Sequence, residues 1–341
     1  MSLGIHDFDF ELPERLIAQQ PAYPRDHAKL LVYDRANQHI QDRYFYELDS
    51  LLEPDTALVL NNSRVEKCRL LFEGGKTEIF VLDTIDPYHV QAMVRPGKKF
   101  KMGKRVFLAP DLYAEVLSIT EDGLRTLKLS HSLGDAVFAP FKHTPLPPYI
   151  AQNEALSEEY QTIYAKDEGS KAAPTAGLHF TPELMQRIAD SGISVEELTL
   201  HVGIGTFAPI KTERIQEHIM HEERYILPEG VAERLNNTSH ITAVGTTSIR
   251  VLESVVALSM DVESGANRKF EAGSGSTDIF ITPGYHFQAV DALITNFHLP
   301  KSTLLMLVAA FVGLEEMYRI YAHAIASEYR FYSFGDAMLL R

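Results

Sequence analysis

The chain has 341 residues, 45% of them hydrophobic and 23% charged, which is typical of a soluble globular protein with two domains. Its longest apolar run, 304–312, is too short to cross a membrane, and the amino terminus lacks a basic region followed by an apolar stretch, so a cytosolic protein is expected. The single cysteine, Cys68, excludes an internal disulfide and any multi-cysteine metal site. The net charge of −14 argues against nucleic-acid binding by a uniformly acidic surface.

The first clear element is a buried strand over 58–60, which runs into the polar sequence Asn61-Asn62-Ser63-Arg64. Beyond it, 69–131 contains about six short segments of alternating polarity, a spacing typical of an all-β barrel or sandwich. Turn signals such as Gly74-Gly75 and Pro96-Gly97 separate these segments. The pattern therefore predicts a separate β domain.

The boundaries of this domain follow from the sequence on either side. A proline-rich stretch, 140–148, ends the alternating pattern. Because a buried-strand signal precedes the β segments and other elements follow them, the β barrel is predicted to be inserted, over 64–144, into a domain made of 1–63 and 145–341.

A basic segment lies inside the predicted β domain, since eleven consecutive residues, 95–105, hold six cations and no acid. On sequence physics alone, the favoured interpretation is a hairpin edge kept soluble by its cations. A phosphate-binding surface remains the alternative. The six residues are Arg95, Lys98, Lys99, Lys101, Lys104 and Arg105.

Helices and strands alternate from Thr181 onward, where Thr181 can cap a helix that has Pro182 at its first position. Alternation of this kind predicts an α/β fold with a largely parallel sheet and helices on both faces. The elements expected after this first helix are a strand over 197–202, a helix over 229–236, a strand over 241–244 and a helix over 248–258.

Four predicted strand ends carry groups suited to a ligand. Glycines let a ligand approach the backbone, threonines offer hydroxyl groups, and free amides at a helix start attract a carboxylate or phosphate. In open α/β sheets, ligands bind just outside the carboxyl ends of strands. Together the four loops therefore indicate an enzyme with a binding site at this edge. The loops are 201–206, 244–247, 282–285 and 295–298.

One of these loops also permits a nicotinamide-binding interpretation. The sequence from Gly203 to Ala208 matches the dinucleotide fingerprint, follows a predicted strand and has Glu222 about twenty residues on. The fingerprint requires a helix at Thr206, whereas Pro209-Ile210 indicates an extended chain. A nicotinamide oxidoreductase is therefore the weaker alternative.

A short histidine and glutamate cluster, His218 with His221 and Glu222, resembles a set of metal ligands. A zincin helix would need a second histidine where Tyr225 stands, so no metal is expected. An acid/base or hydrogen-bonding role for His221 and Glu222 and a purely structural role both remain open.

Short motifs follow one another along nearly the whole chain in a specific order and spacing. They include Asn61 to Val65, Ala173 to Thr181, Leu200 to Gly203, Val244 to Ser248 with Arg250, Thr295 to Pro300, and Gly335 to Leu339. Through these motifs the sequence resembles the S-adenosylmethionine:tRNA ribosyltransferase-isomerases of queuosine biosynthesis.

The resemblance implies transfer of the ribosyl part of S-adenosylmethionine to the aminomethyl deazaguanine base at the tRNA wobble position. That part is isomerised to an epoxycyclopentanediol, giving epoxyqueuosine, and adenine and methionine are released. It implies S-adenosylmethionine as cosubstrate, no metal, and tRNA with the precursor base as partner. The resemblance also favours the interpretation that the basic segment binds tRNA phosphates. A monomer without membrane attachment is expected, and a noncatalytic RNA-binding module remains a rival class.

The implied reaction needs a base that removes a proton beside the sulfonium and a group that protonates the departing adenine. Histidine titrates in the right range, although a structural role is open for each histidine taken singly. The catalytic candidates are His179, His201, His221 and His298, with Glu222 and Asp26 as partners. The candidates for binding S-adenosylmethionine are Thr175, Gly177, Gly203, Gly205, Thr206, Gly245, Thr246, Thr247, Arg250, Tyr285 and Asn296.

Overall fold

The structure is a computed structural model that describes residues 3–151, 153, 155–203, 212–259 and 268–341. It divides into two compact units. The larger consists of Met1–Arg64, Pro147–Ala151 and Glu158–Arg341, and the smaller of Val65–Leu146 with Gln152–Ser157. The sequence predicts two independent domains with similar bounds, and their independence stays a prediction.

The described residues form the following elements. In chain order the strands are β1 (Lys29–Asp34), β2 (His39–Tyr44), β3 (Thr56–Asn61), β4 (Ser63–Val65), β5 (Arg69–Phe72), β6 (Thr77–Asp86), β7 (His89–Arg95), β8 (Arg105–Ala109), β9 (Leu112–Ile119), β10 (Arg125–Leu129), β11 (Lys142–His143), β12 (Asp167–Ser170), β13 (Ser194–Leu200), β14 (Glu223–Leu227), β15 (His240–Val244), β16 (Gly273–Thr277), β17 (Ala292–Asn296) and β18 (Ala337–Leu340). The helices are α1 (Leu156–Glu159), α2 (Pro182–Asp190), α3 (Glu229–Asn236), α4 (Gly245–Ser259), α5 (Thr303–Val312) and α6 (Leu314–Ala326).

The larger unit contains a nine-stranded mixed sheet in the order β16-β14-β13-β3-β15-β17-β18-β1-β2. Four of its eight pairings are parallel. They join the adjacent strands β13, β3, β15 and β17 to one another and β18 to β1. The other four pairings are antiparallel. The prediction of a largely parallel sheet is therefore only partly confirmed, because half of the pairings are antiparallel.

The antiparallel placement of β18 has a simple geometric cause. One helix between two strands returns the chain for a parallel strand, whereas β17 is followed by two helices, α5 and α6. Gly313 lies between these helices with a φ of +93°, which favours glycine. The chain thus returns to the edge where β17 ends, and β18 runs back beside β17 from there.

Helices cover both faces of the large sheet. Along β1, Leu31 and Tyr33 belong to the core cluster that includes side chains of α3, α4, α5 and α6. The alternate residues Leu30 and Val32 belong to a second cluster, with α2 and the 3₁₀ turn Phe45–Ser50. Because successive residues of a strand point to opposite faces, both faces are buried.

Local sequence signals explain where the helices begin. Thr181 caps α2 by accepting a hydrogen bond from the Leu184 N–H at 3.2 Å, and Pro182 occupies the first turn, which confirms the predicted start of this helix. Ser302 caps α5 in the same way, through the Leu305 N–H at 3.2 Å. None of the described helices has both the length and the apolar composition that crossing a membrane requires.

The smaller unit contains a seven-stranded antiparallel sheet in the order β11-β5-β6-β7-β10-β9-β8. Alternate residues such as Leu70, Phe72 and Ile79 are buried in one cluster with Phe138. The sheet is curled into a half-barrel, so the prediction of a separate all-β barrel unit is confirmed in part. Strand β11 has only two residues, too few to pair along the opposite edge strand β8.

Candidate active site

A cavity lies at the carboxyl ends of parallel strands in the larger unit. Since β13, β3, β15 and β17 are parallel, their carboxyl ends share one edge of the sheet. The cavity together with the open space at its mouth has a volume of about 700 Å³. The lining residues are Tyr149, Ala172 to Ala176, Val202, Gly245 to Thr247, Thr295 to Leu299, Ser302, Leu304, Tyr332 and Ser333.

Three of the four predicted strand-end loops contribute to this lining. The loop after β13 contributes Val202, the loop after β15 contributes Gly245 to Thr247, and the loop after β17 contributes residues as far as Leu299. The fourth loop, 282–285, does not line the cavity. Its Tyr285 hydroxyl donates to Glu253 Oε2 at 3.0 Å.

Asn296, the last residue of β17, is 2% exposed and lines the cavity. Its Nδ2 donates to the Tyr332 carbonyl oxygen at 3.3 Å and to His179 Nε2 at 3.1 Å. Its Oδ1 has no hydrogen-bond partner in the described part of the chain. Since buried carbonyl groups are nearly always hydrogen-bonded, Asn296 offers an acceptor suited to a ligand donor.

His298 lies two residues beyond the end of β17 and also lines the cavity. Its Nε2 is 2.9 Å from Thr295 Oγ1, and its backbone N–H donates to the Tyr321 hydroxyl at 3.0 Å. Burial lowers the pKa of His298 to about 3. Burial, with the nearby cations Arg330 and Arg25, lowers the pKa of His179 to about 3 as well. Both imidazoles are therefore neutral near pH 7 and available for hydrogen bonding.

These two buried histidines predict an acid-labile fold. Their pKa of about 3 in the folded chain is below the ordinary 6.5, so the unfolded chain binds more protons between these values. Below pH 6.5, the free energy of unfolding should decrease as the pH is lowered. The decrease is up to about 1.4 kcal/mol per pH unit for each of the two histidines. Urea unfolding at pH 7 and pH 5 measures this loss. It should be smaller in His298→Gln and unchanged in His39→Gln, which alters an exposed histidine.

The turn between β15 and α4 brings backbone amides to the cavity. Gly245 has a φ of +84°, which lets the chain pass directly from strand to helix. The first amides of α4 lack partners within the helix, so this end attracts electronegative groups. Thr247 Oγ1 is buried, and no described atom hydrogen-bonds to it. The turn therefore adds a hydroxyl group and helix-start amides to the Asn296 acceptor.

Gly203 and Arg250, two predicted cosubstrate contacts, are tied to the same buried carboxylate. Glu223 accepts a hydrogen bond from the Gly203 N–H at 2.8 Å and forms an ion pair with Arg250. These contacts fix the chain after β13 beside α4. Gly205 and Thr206 lie outside the described residues, as does the position where the dinucleotide fingerprint would require a helix.

The 3₁₀ turn Thr175–His179 contains two further predicted cosubstrate contacts, Thr175 and Gly177, which have different surroundings. Thr175 lines the cavity, whereas Gly177 packs against Tyr164. A Cβ atom at Gly177 would lie 2.0 Å from the Tyr164 hydroxyl oxygen and 2.9 Å from Thr162 Cγ2. A close approach thus explains this glycine without a ligand.

Replacement of this glycine should therefore reduce stability. Gly177→Ala should lower the free energy of unfolding by about 1–3 kcal/mol, since the new methyl group overpacks a buried site. Tyr164→Phe alone should have a small effect, because the buried hydroxyl has no described partner. The double variant should recover part of the loss in thermal unfolding. A Gly177→Ala protein of full stability that no longer binds S-adenosylmethionine would instead indicate a ligand contact.

Of the six catalytic candidates, only His298 lines the cavity; His179 lies behind it, bonded to Asn296, and four others also lie outside the lining. His201 is half-buried, and burial lowers its pKa. His221 and Glu222 are exposed, and Glu222 accepts a hydrogen bond from Ser276. Asp26 is buried and accepts a hydrogen bond from Thr181 Oγ1 at 3.1 Å. Their catalytic roles stay predictions.

Sequence reasoning missed an aromatic wall of the cavity. The Tyr149 hydroxyl is 2.7 Å from Ser333 Oγ, and the rings of Tyr149 and Tyr332 are 4.6 Å apart. Burial raises the pKa of Tyr149 to about 12, so its hydroxyl stays protonated. These residues follow no predicted strand. The available signal was the motif Gly335 to Leu339, which marks the segment next to the wall.

The basic segment belongs to the smaller unit and contains two kinds of cation. Three have carboxylate partners, at 2.9 Å for Arg95–Glu78, 2.9 Å for Lys99–Glu73 and 3.0 Å for Arg105–Glu115. The other three are exposed and form no ion pair with a described residue. They are Lys98, Lys101 and Lys104.

The described residues show no cluster of three or more His, Cys, Asp or Glu side chains that could hold a metal ion. The expectation of a site without metal stays a prediction. The fold and the cavity together define an α/β protein with a cavity at the carboxyl ends of parallel strands, which is where open α/β sheets bind their ligands.

Comparison with known proteins identifies the family. The pattern of the family described as queuosine biosynthesis protein matches residues 5–340. The chain belongs to this family. It is 46% identical to the S-adenosylmethionine:tRNA ribosyltransferase-isomerase of Desulfitobacterium hafniense, over 99% of this chain and 100% of the relative. The enzyme of that name from Thermotoga maritima is also 46% identical, with the same coverage.

A solved structure is similar as well. The crystal structure of S-adenosylmethionine tRNA ribosyltransferase from Thermotoga maritima matches 98% of this chain and 100% of its own, with 38% identity and a TM-score of 0.57. The similarity to relatives therefore extends along the whole chain in sequence and in structure.

Proposed function

We propose that this enzyme transfers and isomerises the ribosyl part of S-adenosylmethionine onto the aminomethyl deazaguanine wobble base of tRNA, giving epoxyqueuosine and releasing adenine and methionine. Family membership and full-length similarity to enzymes with this name support the proposal. The single observation that carries it in the structure is the cavity at the shared carboxyl edge of β15 and β17, lined by motifs of the family.

The residues of the cavity suit the uncharged part of the cosubstrate. None of the described lining residues carries a carboxylate, ammonium or guanidinium group, and both buried histidines are neutral. Asn296 Oδ1 and Thr247 Oγ1 lack partners among the described atoms and can bind hydroxyl or amino groups of ribose and adenine. We therefore assign the adenosyl part of S-adenosylmethionine to this cavity.

The proposed reaction needs two proton transfers. The sulfonium group of S-adenosylmethionine acidifies the neighbouring ribose carbon, so a positioned base can remove a proton there. A second group then protonates the departing adenine. We propose that Asn296 and His298 contact the reacting group and that His179 positions Asn296 through their hydrogen bond.

The direct test is incubation of the protein with S-adenosylmethionine and tRNA that carries the aminomethyl deazaguanine base. Chromatography should show adenine and methionine released in equal amounts, and the modified tRNA should gain the epoxycyclopentanediol group. The matched control is tRNA that carries unmodified guanine at the wobble position. Binding of tRNA without adenine release would favour the noncatalytic RNA-binding alternative and contradict the proposal.

A further inference from the structure

Three aromatic rings of the larger unit form an exposed row, which we call the aromatic row and define as His27, Tyr46 and Tyr44. The rings of Tyr44 and Tyr46 are stacked, with 5.4 Å between centroids and 6° between planes. His27 lies 5.1 Å from Tyr46, which is the middle ring. Tyr44 is 45% exposed and Tyr46 is 37% exposed. Large aromatic side chains at this exposure are candidates for contact with a partner.

Strand register places this row at the sheet edge that carries the cavity. Tyr44 pairs with Lys29, whose neighbour Leu30 pairs with Ala337, and Ala337 in turn pairs with Asn296. Three strand spacings separate the backbones of Tyr44 and Asn296, which is roughly 14 Å. The aromatic row is therefore close enough to contact nucleotides that flank a base bound in the cavity.

The aromatic row is held in place by its neighbours. The Tyr44 N–H donates to Glu47 Oε2 at 2.8 Å, and Arg187 Nη2 donates to the Tyr46 carbonyl oxygen at 2.7 Å. The carboxylates beside the row all have partners. Glu47 accepts the bond just described, and Asp49 lies 3.3 Å from Arg187 Nε. Asp26 accepts a hydrogen bond from Thr181.

We propose that the aromatic row is a stacking surface for unpaired bases of the tRNA substrate, next to the base that enters the cavity. The inference rests on the proposed function. Unpaired bases stack on aromatic side chains whatever their sequence, because every base has a π face. Stacking on the two tyrosine rings would add affinity that depends less on salt than phosphate contacts do.

The chain has no tryptophan, so one introduced indole reports its own surroundings. In the Tyr44→Trp variant, saturating tRNA should quench the indole fluorescence, because a base stacks on the ring. The matched control is Tyr318→Trp, in the first half of α6. Tyr318 is 37% exposed, and the next residue, Arg319, bonds the Gln38 carbonyl oxygen at the opposite edge of the sheet. Its indole should keep its fluorescence.

Affinity gives a second readout. The Tyr44→Ala, Tyr46→Ala double variant should bind the tRNA anticodon stem–loop roughly tenfold more weakly, since each stacked base contributes about 1–3 kcal/mol. The Tyr44→Phe, Tyr46→Phe variant should bind as the unchanged protein does, because stacking needs the ring and not the hydroxyl. Affinity for S-adenosylmethionine should not change in either variant.

The outcomes separate this inference from the proposed function. If the unchanged protein releases adenine while the introduced indole is not quenched and the alanine variant keeps full tRNA affinity, the stacking surface is overturned alone. Absence of adenine release by the unchanged protein contradicts the proposed function instead. Quenching that grows with protein concentration in the absence of tRNA would assign the row to a second copy of this chain, and would also overturn the inference.

Discussion

Asn296→Ala should reduce the rate of adenine release by about 100-fold or more, which is the usual effect of losing a buried hydrogen-bonding group that contacts the reacting atoms. The variant removes the Oδ1 acceptor from the cavity and the Nδ2 donor that bonds His179. It should also lower the free energy of unfolding by about 1–3 kcal/mol, since His179 Nε2 and the Tyr332 carbonyl oxygen lose a partner. Initial rates must therefore be measured well below the unfolding temperature.

Asn61→Ala is the matched control for this prediction. Asn61 is 1% exposed and ends β3, which is separated from β17 by one strand, but its side chain bonds the backbone N–H and carbonyl oxygen of Leu200, at 2.9 and 3.0 Å. It does not line the cavity. Its replacement should reduce stability at least as much while changing the rate far less. Equal rates in the two variants would show that Asn296 has only a structural role.

Reversing the charge of Lys98, Lys101 and Lys104 to glutamate should raise the Michaelis constant for tRNA and flatten its salt dependence. These exposed lysines form no ion pair with a described residue, so they are the cations of the basic segment best able to bind phosphates. Loss of three phosphate contacts should lower the salt slope of binding by roughly 2 to 3. The Michaelis constant for S-adenosylmethionine should stay unchanged.

The matched control reverses three other exposed lysines of the same unit, Lys67, Lys76 and Lys128. It changes the net charge equally but leaves the basic segment intact. Salt titrations of tRNA binding should therefore differ between the two triple variants. If both lose affinity alike, only the net charge matters, and the basic segment has the solubilising role that its sequence alone favours.

The strand-end loops could be recognised from the sequence because their signals are local. Gly245 follows an apolar strand and precedes a helix, so its place at a strand end follows from three adjacent segments. The rule that ligands bind at the carboxyl ends of parallel strands then relates this turn to Asn296, about fifty residues on. Both residues line the same cavity.

The aromatic wall and the direction of β18 could not be predicted in the same way. Tyr149 and Ser333 meet at 2.7 Å although 184 residues separate them, and neither segment has a periodic pattern of its own. Whether β18 runs parallel or antiparallel depends on how α5 and α6 pack, which is a tertiary property. The roles predicted for His221 and Asp26 depended on residue type rather than position, and the structure leaves both outside the lining.

The place of β18 between β17 and β1 has a consequence for how the protein is made. The hairpin of β1 and β2 joins the large sheet only through residues 337–340, roughly 300 positions later in the chain. At about 5–20 residues per second, synthesis of that interval takes about 15 to 60 s. During this time, the edge of β1 that later pairs with β18 is unpaired on the nascent chain. Other chains can pair with this edge, so a chaperone that binds exposed strands would be most useful at this stage.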